Sequence, residues 1–294
     1  MAIGRPVEPL TEHLRWSRRP ALRSPVLVAG FEGWNDAGDG ASGAVKALAE
    51  AWHADPFVDI DPEEFYDFTA TRPLVRLTEG KTRRIEWPSN MFSAATIEGS
   101  DVDVVLLLGH EPGLKWRTFC DQVVEVVRTV DARMVVTLGA LLAEVPHTRP
   151  VRVIGTAEDD GLIRRLQLRR SSYEGPTGIV GTLHDALRRR GVPSVSLWAA
   201  VPTYVSGPPS PAAALALIRR VVDLLGVPFD ASELEEESMQ YTQRLDELVA
   251  EDDELREFLA RLESAYDDDS VADADEEADP GRLIEEVERY LRDQ

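Results

Sequence analysis

Short apolar runs alternate with amphipathic stretches along most of the chain. The apolar runs are typical of buried strands, and they fall at 25–29, 101–109, 133–139, 151–155 and 195–200. Between them, apolar residues recur at three- to four-residue spacing, which is the period of a helix that packs one face on a core. These stretches predict helices at 41–52, 116–130, 158–166, 182–190 and 211–225. Continuous apolar strands that alternate with helices predict a three-layer α/β/α sandwich with a mostly parallel sheet.

The stretch 57–96 has a different pattern. Polar and apolar residues alternate there in several short segments, and Gly80-Lys81 has the composition of a turn. Such alternation is typical of half-buried antiparallel strands. It predicts hairpin strands that are added to one edge of the sheet.

Residues 191–218 carry no charged side chain and are long enough to cross a bilayer. Five prolines interrupt this stretch, and proline cannot continue a helix because it lacks the backbone donor. The stretch therefore predicts a buried strand, a loop and a buried helix, and no membrane span. The N-terminus lacks the apolar core of a signal peptide, so we expect a cytoplasmic protein.

Charge is distributed unevenly along the 294 residues. Residues 229–294 contain 25 acidic residues and six arginines, so they hold most of the net charge of -21. We therefore predict an N-terminal extension at 1–24, an α/β/α body at 25–228 and an acidic helical region at 229–294. A strongly acidic chain disfavours nucleic acid as a partner, because phosphate binding requires clustered lysine and arginine.

Within the acidic region, an apolar stripe at three- to four-residue spacing predicts one long helix over 231–266. The like-charge run 267–277 predicts a loose linker. Asp279-Pro280 is a typical helix start and predicts a last helix. The region is either an arm that binds a partner or a set of helices packed on its own body. Packing is favoured, since helices depend on burying one apolar face.

Polar side chains that follow the predicted strands are candidates for a site, because ligands of open α/β sheets bind at the carboxyl ends of the strands. The candidates are Glu32, Trp34, Asn35, Asp36, Glu111, Glu144, His147, Tyr173, Thr203 and Tyr204. Their spacing matches no catalytic, dinucleotide-binding or metal-binding motif, so we expect neither a cofactor nor a metal. Asn35 and Asp36 precede a predicted helix and are also candidates for its cap. The single cysteine, Cys120, excludes an internal disulfide.

Several loop motifs together resemble the proteasome assembly chaperone two-like family, in its actinobacterial branch with an acidic helical C-terminal region. They are Gly30-Phe31-Glu32-Gly33-Trp34-Asn35-Asp36-Ala37-Gly38, Gly109-His110-Glu111-Pro112, Val145-Pro146-His147-Thr148-Arg149-Pro150, Tyr173-Glu174-Gly175-Pro176-Thr177-Gly178 and Ser196-Leu197-Trp198-Ala199-Ala200-Val201-Pro202. The resemblance covers about 20–294. It implies a fold similar to that of the nucleoside phosphorylases.

The resemblance also bears on function. Eukaryotic members are chaperones of proteasome assembly, and bacterial members are typically homo-oligomers, often trimers. We therefore expect a non-enzymatic interaction or assembly factor that forms a homo-oligomer, with a trimer as the first expectation, and has a proteasome-related partner. Thr203 stands where the family often has histidine, which weakens an enzymatic interpretation. The alternative is a small-molecule-binding protein or a hydrolase or phosphorylase-like enzyme that uses the strand-end loops.

Overall fold

A computed structural model describes residues 12–78, 82–205, 207 and 209–275. The strands are β1 (Leu14–Trp16), β2 (Val26–Glu32), β3 (Asp55–Ile60), β4 (Leu74–Thr78), β5 (Thr82–Glu86), β6 (Asn90–Ala95), β7 (Val104–His110), β8 (Met134–Ala143), β9 (Val153–Ala157) and β10 (Ser194–Pro202). The helices are α1 (Gly40–Ala51), α2 (Trp116–Thr129), α3 (Asp160–Leu166), α4 (Ile179–Arg189), α5 (Pro211–Leu225), α6 (Ser232–Ala250) and α7 (Asp253–Asp275).

Eight strands form the central sheet in the order β1-β3-β6-β7-β2-β8-β10-β9. The middle strands β7, β2, β8 and β10 are parallel neighbours, and antiparallel strands flank them on both sides. With β3, five of the eight strands run in one direction. The prediction of a mostly parallel sheet is therefore confirmed.

Helices cover both faces of the sheet, as a three-layer sandwich requires. In β2, Val26 and Val28 face a core that includes α1 and α5, whereas Leu27 and Ala29 face a core that includes α2 and α4. Each of the strands and helices predicted in the body outside 57–96 is present, with shifts of a few residues at the ends. The uncharged stretch contains β10 and the start of α5, and among the described residues no helix is long and apolar enough to cross a membrane.

The antiparallel stretch is only partly as predicted. Strands β3 and β6 join the sheet, but β4 and β5 pair with each other alone and form a separate hairpin. The alternating pattern identifies strands but does not specify their partners, which explains the error. The predicted turn at Gly80-Lys81 lies outside the described residues. The sequence pattern also misses β1, which is only three residues long and pairs with β3 at the sheet edge.

The prediction of one long helix over 231–266 is wrong, because the chain breaks between α6 and α7. The Asp252 carboxylate accepts hydrogen bonds from the backbone N–H groups of Glu254 and Leu255, so it caps the start of α7. The loose linker predicted from residue 267 is also wrong as far as Asp275, because the described residues up to that point belong to α7. The helix predicted from Asp279-Pro280 lies outside the described residues.

Helices α6 and α7 pack on the body. Five of their apolar side chains are buried, namely Tyr241, Leu245, Val249, Leu259 and Leu262. Tyr241 and Leu245 form a small core with Val205 of the loop after β10. Some of their carboxylates also contact the body, among them Asp246, Glu263 and Asp267. The packed arrangement, rather than a detached arm, is therefore the one observed.

Candidate functional site

The polar residues that follow β2 and β7 form structural contacts with one another. Glu32 accepts a hydrogen bond from the Lys46 ammonium at 2.8 Å and lies 2.8 Å from Nδ1 of His110. The hydrogen bond with His110, together with the one from Lys46, lowers the pKa of Glu32 to about 2 against the opposing effect of burial. Glu32 thus ties the ends of β2 and β7 to helix α1.

Asp36 anchors the start of α1. Its Oδ1 accepts hydrogen bonds from the backbone N–H groups of Ala41 at 2.7 Å and Ser42 at 3.0 Å. Burial raises the pKa of Asp36, and the hydrogen bonds from this helix start oppose that shift. The capping role expected for Asn35 and Asp36 therefore belongs to the side chain of Asp36.

Asn35 and Glu111 join the loop after β2 to the start of α4. Glu111 Oε1 accepts hydrogen bonds from Asn35 Nδ2 at 3.3 Å and from the backbone N–H of Ile179 at 2.7 Å. A carboxylate at a helix N-terminus is favourable because the helix dipole is positive there. A Cβ on Gly178 would come within 2.8 Å of Glu111 Oε1 and 2.5 Å of Asn35 Nδ2, so a larger residue there would displace these two side chains.

Three of the predicted residues line one groove beside the sheet. Trp34, Asn35 and Tyr173 border it, and its volume is about 480 Å³. Trp198 of β10 and His184 of α4 also line it, although neither was predicted from the sequence. Three aromatic side chains around a concave surface can hold an apolar or planar group.

A partly buried polar network lies along the groove. His184 Nε2 is 2.8 Å from Thr137 Oγ1, and its Nδ1 is 2.8 Å from Ser194 Oγ. Thr137 Oγ1 donates to Ser196 Oγ, which also accepts a hydrogen bond from the indole N–H of Trp198 at 2.8 Å. Burial lowers the pKa of His184 to about 4. In the sequence, Thr137 and Ser196 stand out as small polar residues inside apolar strands. Their contact could not be predicted, because only the register of β8 with β10 brings them together.

We expect this histidine to make the fold sensitive to acid. The unfolded chain binds a proton on His184 near the ordinary pKa of about 6.5, whereas the folded chain binds it only near pH 4. Between these values the unfolded state holds more protons, so the free energy of unfolding falls as the pH falls from about 6.5 to 4. The His184→Gln variant cannot gain that charge. Its free energy of unfolding, measured by chemical denaturation, should therefore depend less on pH between about 6.5 and 4. If the free energy of unfolding of His184→Gln fell as steeply with pH as that of the wild type, the acid sensitivity would not come from His184.

The remaining predicted residues lie elsewhere. His147 Nδ1 is 2.7 Å from the Tyr204 hydroxyl, and His147 Nε2 is 3.2 Å from Asp246 of α6. Burial raises the pKa of Tyr204 to about 12. Glu144 is exposed, and the backbone N–H of Thr203 donates to the carbonyl of Ala143. The ten residues therefore do not converge on one pocket.

The loop around His147 is the attachment site of the acidic helices. Arg149 forms ion pairs with Glu263 at 3.1 Å and with Asp267 at 2.7 Å. The Tyr266 hydroxyl donates to the carbonyl of Pro150, and the Arg152 guanidinium lies 4.0 Å from the centre of the Tyr266 ring. This contact was missed because the partners are more than one hundred residues apart in the sequence. Within the described part of the chain, no group of three His, Cys, Asp or Glu side chains is placed to hold a metal.

Comparison with known proteins identifies the family. The sequence model of the PAC2 family matches residues 30–249, which is most of the chain. The chain belongs to the PAC2 family. No curated protein sequence matches it.

Solved structures agree with this membership in the PAC2 family. A PAC2 family protein from Streptomyces avermitilis is 46% identical, with a TM-score of 0.75 over 80% of this chain and 99% of that one. The Mycobacterium tuberculosis proteasome-assembly chaperone homologue Rv2125 is 47% identical, with a TM-score of 0.73 over the same shares. Another Mycobacterium tuberculosis protein, Rv2714, is 26% identical and matches 99% of this PAC2 family chain and 98% of its own, with a TM-score of 0.82.

Proposed function

We propose that this PAC2 family chain is a non-enzymatic assembly factor of the cytoplasm that acts on proteasome subunits as a homo-oligomer. The observation that carries the proposal is the 47% identity with a proteasome-assembly chaperone homologue over 80% of the chain. A trimer remains the first expectation for the oligomer.

The use of the polar side chains supports a binding role. Glu32, Asp36 and Glu111 each complete a contact between two elements of the fold. His147 is nearly buried beneath α6, where it contacts Tyr204. A catalytic group must reach a reacting atom together with its partners. Residues that instead fix the loops give the chain a rigid surface, which is what a binding protein requires.

The test is reconstitution from purified components. The full chain is mixed with unassembled α-type and β-type proteasome subunits from one actinobacterium, and the mixture is separated by size-exclusion chromatography. We expect the chain to co-elute with unassembled subunits and to accelerate the appearance of the complete core particle. Elution of the chain apart from all subunits, with an unchanged assembly rate, would contradict the proposal.

The groove favours a second candidate, a small-molecule-binding protein with a phosphorylase-like or hydrolase activity. Trp34 is partly exposed at its edge, so its fluorescence reports on occupancy. Titration with purine nucleosides in the presence of phosphate should then change the emission of the full chain. Trp34→Phe should reduce that change, and Trp198, which also lines the groove, should account for the remainder. Trp87→Phe, an exposed tryptophan outside the groove lining, is the matched control. An unchanged emission at saturating nucleoside would reject this candidate ligand.

A further inference from the structure

The β4–β5 hairpin exposes an apolar surface. Cross-strand partners share a face, so Val75 and Ile85 lie side by side, with Leu77 next along the same face. These three side chains are 57%, 47% and 61% exposed. Trp87, just beyond β5, is half-exposed and contacts Phe68 at the base of the hairpin. We call this surface the hairpin face, comprising Val75, Leu77, Ile85 and Trp87.

A two-stranded hairpin with an exposed apolar face requires another surface that packs against it. Two strands alone are marginally stable in water, and a third strand or a packed surface normally supports them. All five residues of β5 are exposed, so the body does not supply that support. A contiguous apolar patch on an exposed sheet is typical of an interaction surface.

The charge of the hairpin indicates which kind of surface could cover the hairpin face. The described residues 72–78 and 82–87 include four arginines and one glutamate, so the hairpin is basic. Arg83, opposite Leu77, is on the hairpin face itself, whereas Arg76 and Arg84 are on the other face. A second hairpin would bring like charges together, which disfavours a contact between two hairpin faces. The occupant should therefore be acidic with some apolar content.

Helix α6 of this same chain has that composition. It carries six carboxylates and one arginine, and Met239 is 66% exposed on its solvent side. The residues three and four positions from Met239 on the helix surface include Glu235, Glu236 and Gln243, and none of these neighbours is basic. Methionine is flexible and packs favourably against aromatic rings such as that of Trp87. The other exposed apolar residue of α6, Leu248, lies one turn from Arg244 and suits a basic partner less well.

The two surfaces lie in different halves of the molecule. The hairpin emerges between β3 and β6, in the half of the sheet that ends at β1. Helix α6 packs on α5, and α5 packs on β10 in the other half. We propose that the hairpin face docks on the α6 surface around Met239 of a second copy of this chain. The contact is head-to-tail, so repeated contacts close a ring when their rotation allows it. This inference rests on the self-association included in the proposed function.

Complementation between two variants tests the contact. Ile85→Asp disables the hairpin face, and Met239→Asp disables the α6 surface, each at an exposed position that the fold does not need. Sedimentation equilibrium of the full chain should show that each variant alone raises the dissociation constant of the oligomer by about tenfold or more. An equimolar mixture should form a dimer and nothing larger, because each such pair retains one intact contact. Leu114→Asp, at an exposed apolar position on the body, is the matched control and should assemble as the wild type does.

The possible failures can be distinguished. A monomeric wild-type chain would refute the proposed self-association and, with it, this contact. A wild-type oligomer that persists in both variants would refute the contact alone. Dissociation of Ile85→Asp without dissociation of Met239→Asp, or a mixture that stays monomeric, would show that the hairpin has another occupant and would overturn the proposal. Unchanged far-UV circular dichroism of both variants excludes misfolding as the cause.

Discussion

Gly109→Ala should destabilise the protein by about 3 kcal/mol, because the added methyl group overpacks a sheet that has no room for it. Gly109 of β7 lies opposite Asn90 of β6. A Cβ at this position would come within 2.6 Å of the Asn90 Cα and closer still to the Ser89 carbonyl oxygen. These are backbone atoms, so the neighbouring strand itself would have to move. Chemical denaturation followed by far-UV circular dichroism measures the change.

Gly113→Ala is the matched control for this prediction. A Cβ on Gly113 would meet nothing within 4 Å, and its backbone is outside the left-handed region. We expect this substitution to change the free energy of unfolding by less than about 0.5 kcal/mol. Equal effects of the two substitutions would contradict the close approach of β6 to β7.

Leu245→Ala should cost about 2 to 5 kcal/mol, the usual range for removing a buried leucine side chain. Leu245 is 5% exposed and packs with Val205 and Tyr241 between α6 and the body. This loss in the free energy of unfolding is expected because α6 packs on the body and is part of the folded unit. The midpoint and slope of denaturation of the full chain provide the measurement.

Leu248→Ala provides the control on the same helix. Leu248 is 48% exposed, so its truncation should change stability by less than about 0.5 kcal/mol. A detached acidic arm would make both substitutions nearly silent, and that result would refute the packing of α6. A large loss for Leu245→Ala alone would support it.

The sandwich was predictable because its central strands are apolar along their whole length. Helices cover both faces of β2, β7 and β8, so these strands have no polar alternation, and that is the pattern of a buried parallel sheet. The hairpin shows the limit of this reasoning. Alternation in β4 and β5 identifies strands, but the partner of each strand depends on tertiary contacts.

The candidate site was only partly predictable for a related reason. Of the residues that the rule of strand ends selects, Trp34, Asn35 and Tyr173 line one groove. The rule also selects His147 and Tyr204, which turn toward α6 because Asp246 and the rest of that helix pack over them. A contact across 99 residues leaves no periodic signal in the sequence. Register and packing therefore decided which polar residues meet.

Isolation of the chain from its own host is the most direct test of the proposed role in proteasome assembly. The tagged full-length chain is isolated from its own host, and the co-purifying proteins are quantified by mass spectrometry. We expect proteasome core subunits or their precursors in stoichiometric amounts with the chain. Recovery of the chain with only copies of itself would contradict the assembly role and would direct attention to the groove beside Trp34 and its ligand.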